Sequence, residues 1–292
     1  MGNPLEGRGR HLLLAVAVLL LLGACSRMNL AYRHLDTLIP WAINEYLDMN
    51  GAQQTRLKQQ LRELQAWHCS TQLPIYLEGL ERLQREAREP RIEVQTLRAH
   101  YRNMEQAIGD LAEQVTPAAV ELLGDLDARQ VERLRGTLEE KRQELHEEFV
   151  EPALPRQIRE RAERMQKRIE HWAGPLDAAQ RQRVLQWAHA LGAQNQRWLD
   201  NRRHWQAALL EVVEQRHDED FPARLTQVLQ HPDAFWTEPY RASLAHNEQA
   251  TMALISDLHA MASEAQRSRL DGRLQDLRND LDSLQCQAAS AG

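Results

Sequence analysis

The 292-residue sequence has only 13 glycines and 11 prolines, and aromatic residues make up 5% of it. Runs of alternating β-branched residues joined by hairpin turns are missing, which excludes a sheet-based fold. Three cysteines are too few for a disulfide scaffold or a cysteine-rich zinc module. Cations do not exceed acids: 36 Lys and Arg face 42 Asp and Glu, so the net charge is −6 and no nucleic-acid surface is expected. Mean hydropathy is −0.62, and no apolar run reaches the length of a membrane span. Nucleophile elbows, phosphate loops and dinucleotide fingerprints are all missing. His146-Glu147-Glu148 continues as Phe149-Val150, so the zinc-protease spacing fails. His217-Asp218-Glu219-Asp220 reads as a solvated loop. The expectation is therefore a protein without catalytic residues, metal or cofactor.

The start of the chain is more informative. Arg8 and Arg10 precede an apolar run from Leu12 to Leu22, followed by Gly23-Ala24-Cys25. Eleven helical residues cover about 16 Å, roughly half a bilayer core. A charged start, short apolar stretch and small-residue exit form a secretory signal. Its exit resembles a lipobox, which makes residues 1–24 a cleaved signal and Cys25 the acylated first residue of the mature chain. Cleavage removes two of the 36 cations and one of the 42 acids, moving the charge from −6 to −7. By resemblance to enterobacterial sorting, Ser26 favours the outer membrane, with the body facing the periplasm. In that oxidising compartment Cys69 and Cys286 are expected to pair; the alternative is two buried thiols.

Nearly every remaining segment has helical periodicity. Helices are expected near 30–48, 51–71, 73–88, 91–114, 117–149, 154–172, 178–216, 222–230, 239–261 and 264–286. The fold is all-α: an elongated bundle of nine or ten helices over residues 25–292, as one unit or as sub-bundles of roughly 25–150 and 151–292.

Four segments align without gaps: MNGAQQTRL, LDARQVERL, LDAAQRQRV and ASEAQRSRL. Each has an N-cap residue (Asn50, Asp127, Asp177, Ser263), then Gln three residues later (Gln53, Gln130, Gln180, Gln266). Arg follows at Arg56, Arg133, Arg183 and Arg269. A short side-chain oxygen accepts from the first helical turn, and Gln at the third position returns a bond to the cap's own N–H. These are four helix starts, and Val115-Thr116-Pro117 reads as a fifth. The pattern is similar to the LTxxQ motif of periplasmic stress proteins.

A wider resemblance rests on Asn29-Leu-Ala-Tyr-Arg-His-Leu-Asp36 behind the lipobox, then Trp67-His68 and Gln72-Leu73-Pro74-Ile75-Tyr76. Trp198, Trp205 and a closing helix extend it. Together these resemble an uncharacterised family of proteobacterial all-helical outer-membrane lipoproteins, a domain of unknown function. The resemblance implies a lipid-anchored helical body and no established activity. Cys69 departs from the arginine-like residue expected there.

Val184, Trp187, Leu191, Trp198, Trp205 and Leu209 form one apolar stripe on a single expected helix. It is either a buried seam or a groove for an envelope protein or lipid. Tyr32, Leu35, Leu38, Ile39, Ala42, Ile43, Tyr46 and Leu47 make a second stripe, expected to pack into the bundle. The alternative is a helix resting on the membrane surface, which a polar face of Asp36, Asn44, Glu45 and Asp48 with few cations fits poorly. The functional expectation is a non-enzymatic envelope binding, scaffold or chaperone-like protein, held to the membrane by its acyl chains. The alternative is an accessory factor that binds or moves a lipid or envelope polymer.

Overall fold

The computed structural model describes residues 32–284; the signal segment, Cys25 and Cys286 lie outside them. The described residues are all-helical, in an elongated bundle. The helices are α1 (Leu35–Leu47), α2 (Gly51–Trp67), α3 (Leu73–Glu86), α4 (Val94–Gly124), α5 (Ala128–Phe149) and α6 (Leu154–Ala173). They continue as α7 (Ala178–Ala190), α8 (Gln194–Glu214), α9 (Phe221–Gln230), α10 (Glu238–Ala260) and α11 (Glu264–Asp282). A π-helical turn, His68–Gln72, joins α2 to α3, and a 3₁₀ turn, Pro232–Phe235, precedes α10.

Helices α1, α2 and α5, with the C-terminal end of α4, close around Leu47, Leu57, Leu61, Leu126, Val131 and Leu134. Helices α6, α7 and α10 close around Ile158, Val184, Trp187, Leu191, Leu254 and Leu258, and α11 packs on α6. The two halves interlock. Helix α8 packs on α5, inserting Val213 into the first core, while α9 packs on α4 and α11 on α3.

Three expectations on element boundaries are corrected. Val115-Thr116-Pro117 is no helix start, because α4 runs straight through it. The Thr116 hydroxyl donates to the Ala112 carbonyl at 2.6 Å. Interior proline costs about 3 kcal/mol, and burial of Val120, Leu122 and Leu123 against two cores offsets it. The expected 117–149 helix instead breaks at Asp125–Asp127, where the second motif starts α5.

The expected 178–216 helix also breaks. Gly192 adopts φ +53, a left-handed conformation open to glycine at little cost, so α8 restarts at Gln194. Arg161 secures this break from α6: it donates to the carbonyls of Ala188 at 2.9 Å and Gly192 at 3.0 Å, and to Asn195 Oδ1 at 3.2 Å. Asn195 in turn donates to the Phe149 carbonyl at 2.7 Å and to Gln157 Oε1 at 3.2 Å. One buried polar network thus fixes both the α5–α6 and the α7–α8 junctions.

Helix α1 is rotated from its expected register. Ile39, Ile43, Tyr46 and Leu47 face the first core, whereas Leu38 and Ala42 are exposed. The sequence stripe spanned too wide an arc for one buried face.

Candidate functional site

All four motif starts are complete capping boxes, with the cap oxygen accepting from the Gln backbone N–H and the Gln side chain accepting from the cap N–H. The glutamines do more than cap. Gln53 Nε2 donates to Gln130 Oε1 at 3.2 Å, and Gln130 Nε2 returns a bond to Gln53 Oε1 at 2.8 Å. Gln180 and Gln266 exchange the same two bonds, both at 3.0 Å. Each carboxamide also donates to a carbonyl just ahead of its partner's cap: Gln53 to Asp125, Gln130 to Leu47 and Asp48, Gln180 to Met261, Gln266 to Pro175.

Each glutamine therefore uses both lone pairs and both N–H groups, the full capacity of a carboxamide. Gln53, Gln130 and Gln180 are 1–2% exposed, a placement that demands such satisfaction. The motif joins helices in pairs, α2 to α5 and α7 to α11.

The motif arginines follow the same exchange. Arg56 reaches Glu121 at 3.2 Å and Asp125 at 2.5 Å, at the end of α4. Arg133 donates to the Glu45 carbonyl near the end of α1 at 3.1 Å, and Arg183 meets Asp257 near the end of α10 at 2.9 Å. Arg269 lies along Gly174, the cap of α6, where its Cδ would sit 3.1 Å from an added Cβ. Gly174 has φ +87 and is doubly suited to glycine. Every motif arginine thus touches the end of the helix that leads into the partner motif, where a cation meets the negative end of the helix dipole.

Four residues of the wider resemblance, Tyr32, His68, Gln72 and Tyr76, converge at the π turn. The Tyr32 hydroxyl lies 3.0 Å from His68 Nδ1, and Gln65 Nε2 donates to the Tyr32 carbonyl at 2.6 Å. Tyr76 meets His68 edge-on, with ring centroids 5.4 Å apart. Gln72, buried in the turn, donates to Asp110 Oδ2 at 3.3 Å while its Oε1 has no protein partner. Burial pushes the His68 imidazole below its usual pKa. It raises the phenols of Tyr32 and Tyr76, with smaller contributions from Tyr76 and Asp110 respectively. Cys69 is buried with Leu73 and Leu284 and is disulfide-bonded. The expected partner, Cys286, lies outside the described residues.

The three expected tryptophans do not share one open face. Trp187 is buried and donates to Thr251 Oγ1 at 3.1 Å. Trp198, across the Gly192 break, sits edge-on to Phe149 at 6.3 Å. Trp205 donates to the Val228 carbonyl at 3.0 Å and packs with Phe221 and Leu225.

A tryptophan outside that set is exposed. Trp41 stands on the rim of an open groove of about 1120 Å³ between α1 and α5. Asn44, Arg129, Glu132, Gly136 and Glu140 line it, and Gly136 leaves the α5 wall without a side chain there. The sequence carried a cue to Trp41, since it falls outside the apolar stripe of its own helix. Among the described residues no three His, Cys, Asp or Glu side chains are placed to hold a metal ion, and no helix is long and apolar enough to cross a membrane.

Paired capping boxes and a motif cluster at a π turn define an all-helical body whose recurrent residues are architectural. The chain belongs to DUF6279, a family of unknown function, which it matches over residues 45–241. No curated protein and no solved structure matches it.

Proposed function

We propose that this is an outer-membrane lipoprotein, acylated at Cys25, whose helical body faces the periplasm and works by binding rather than by catalysis. The observation that carries the reading is the seating of Tyr32. Seven residues after Cys25, the chain is fixed to Gln65 and His68 beside Tyr76. A tether that short holds the body close to its anchor, which suits a scaffold or chaperone-like protein presenting one face. The groove beside Trp41 is the candidate contact surface. It is open and carries both charges, which suits a polypeptide better than an acyl chain.

Two measurements test this. Metabolic acyl labelling with membrane fractionation should place the protein in the outer membrane, and Cys25→Ala should lose both the label and the location. A Cys25→Ala protein that still fractionates there contradicts the anchor. Photo-crosslinking in cells from Glu132 and Glu140 should give discrete adducts to envelope proteins. Adducts to lipid alone would favour the carrier reading, and none at either position, with the variants folded, would remove the groove from consideration.

A further inference from the structure

Helix α1 turns two large apolar side chains away from the body. Trp41 is 78% exposed and Leu38 45%, one turn apart. Thr37 and Ala42 are exposed on the same outer face, and Arg33 and His34 are exposed at the end nearer Cys25. An acidic helix would be repelled by an anionic surface, but the carboxylates of α1 are neutralised from inside the protein. Asp36 lies 3.8 Å from Arg62, Glu45 lies 3.0 Å from Lys141, and Asp48, just past the helix, lies 2.5 Å from Arg129.

We propose that this outer face of α1 rests on the phospholipid surface that carries the Cys25 anchor, with Trp41 at headgroup level and Leu38 beside it. The inference depends on acylation of Cys25, the reading given above. Chain length argues for it. Seven residues extend at most about 25 Å, so Tyr32 cannot lie further than that from its anchor. Because Tyr32 is bonded to Gln65 and His68, the short tether constrains the whole body. Leu38 and Trp41 lie roughly 9 and 14 Å from Tyr32 along the helix axis, which keeps them within about 34 and 39 Å of the anchor. An amphipathic indole with an apolar neighbour is the side-chain type that settles at a membrane interface. The anchor supplies the binding energy, and the α1 face sets the orientation.

The test is site-directed spin labelling of the purified, acylated full chain in phosphatidylethanolamine–phosphatidylglycerol vesicles. Labels are placed at Thr37→Cys and Ala42→Cys, which leave Leu38 and Trp41 intact, and at Glu105→Cys on α4 as a control. Expected is a shift from nickel-chelate to oxygen accessibility at 37 and 42 and none at 105. In a Leu38→Ser/Trp41→Ser background the shift at 42 should be lost while the protein still floats with the vesicles. Water-exposed labels at 37 and 42 on a vesicle-bound protein would overturn the docking and leave the anchor standing. Immersion at 105 instead would assign the membrane face to α4, and dipolar broadening between copies would assign the α1 face to a second chain. An N-terminal peptide mass lacking acyl chains would overturn both readings.

Discussion

Gln180 and Gln266, 86 residues apart in sequence, donate to each other's side-chain oxygens at 3.0 Å while each also closes the capping box of its own helix. A residue with two tasks should cost more to remove than a cap with one. Ser263→Ala is expected to lose about 1 kcal/mol. Gln266→Leu should lose more, because it strips partners from Gln180 and from the Ser263 N–H and the Pro175 carbonyl, at roughly 1–3 kcal/mol per buried group left unpaired. Urea denaturation of the two variants compares them directly.

Arg161 is buried without a carboxylate partner and bonds only neutral oxygens at the Gly192 break. Burial, and then nearby Arg164, lower its pKa, so the charge is held at a cost that the local carbonyls offset. Arg161→Met should destabilise the protein by about 2–4 kcal/mol through the orphaned acceptors. Hydrogen exchange should quicken first at the α7–α8 junction. Uniform exchange changes across the bundle would count against this local role.

Acid should weaken the fold in a defined window. Burial lowers the pKa of both His68 and His259 below the unfolded value near 6.5, so the unfolded chain binds more protons there. Stability is then complete above about pH 6.5 and falls as pH drops through the folded values. The urea midpoint should be lower at pH 5.5 than at pH 7.5. In a His68→Gln/His259→Gln variant the difference should shrink.

Cys69 sits in an apolar cluster with Leu284, two residues before Cys286. We expect these two cysteines to be bonded. Thiol labelling of the unfolded, unreduced mature protein should find neither reactive, and Cys69→Ser should cost about 2–5 kcal/mol. Two reactive thiols would refute the pairing.

Helical period and cap chemistry made most of this architecture legible. Asn50, Asp127, Asp177 and Ser263 start helices because cap and Gln act within four residues, a local relationship that a sequence displays. The glutamine exchange was not legible, since partners 77 and 86 residues apart meet only when the helices pack. Helix continuity failed in both directions for a tertiary reason: Pro117 is tolerated because flanking residues are buried, and Gly192 breaks a periodic run because Arg161 waits for its carbonyls. The cue to Trp41 was its place outside the apolar stripe of α1, but a stripe marks only the buried face of a helix, and the size of the exposure opposite follows once the core is placed.

The double-mutant cycle on Gln53 and Gln130 tests the central claim most directly, namely that the repeated motif joins helix pairs as well as starting helices. Gln53→Leu and Gln130→Leu, singly and together, are to be compared by urea denaturation at pH 7.5. The account predicts a coupling of about 1–3 kcal/mol, the double variant losing less than the two single losses combined. Additive losses would mean that each glutamine serves only its own helix, and would contradict it.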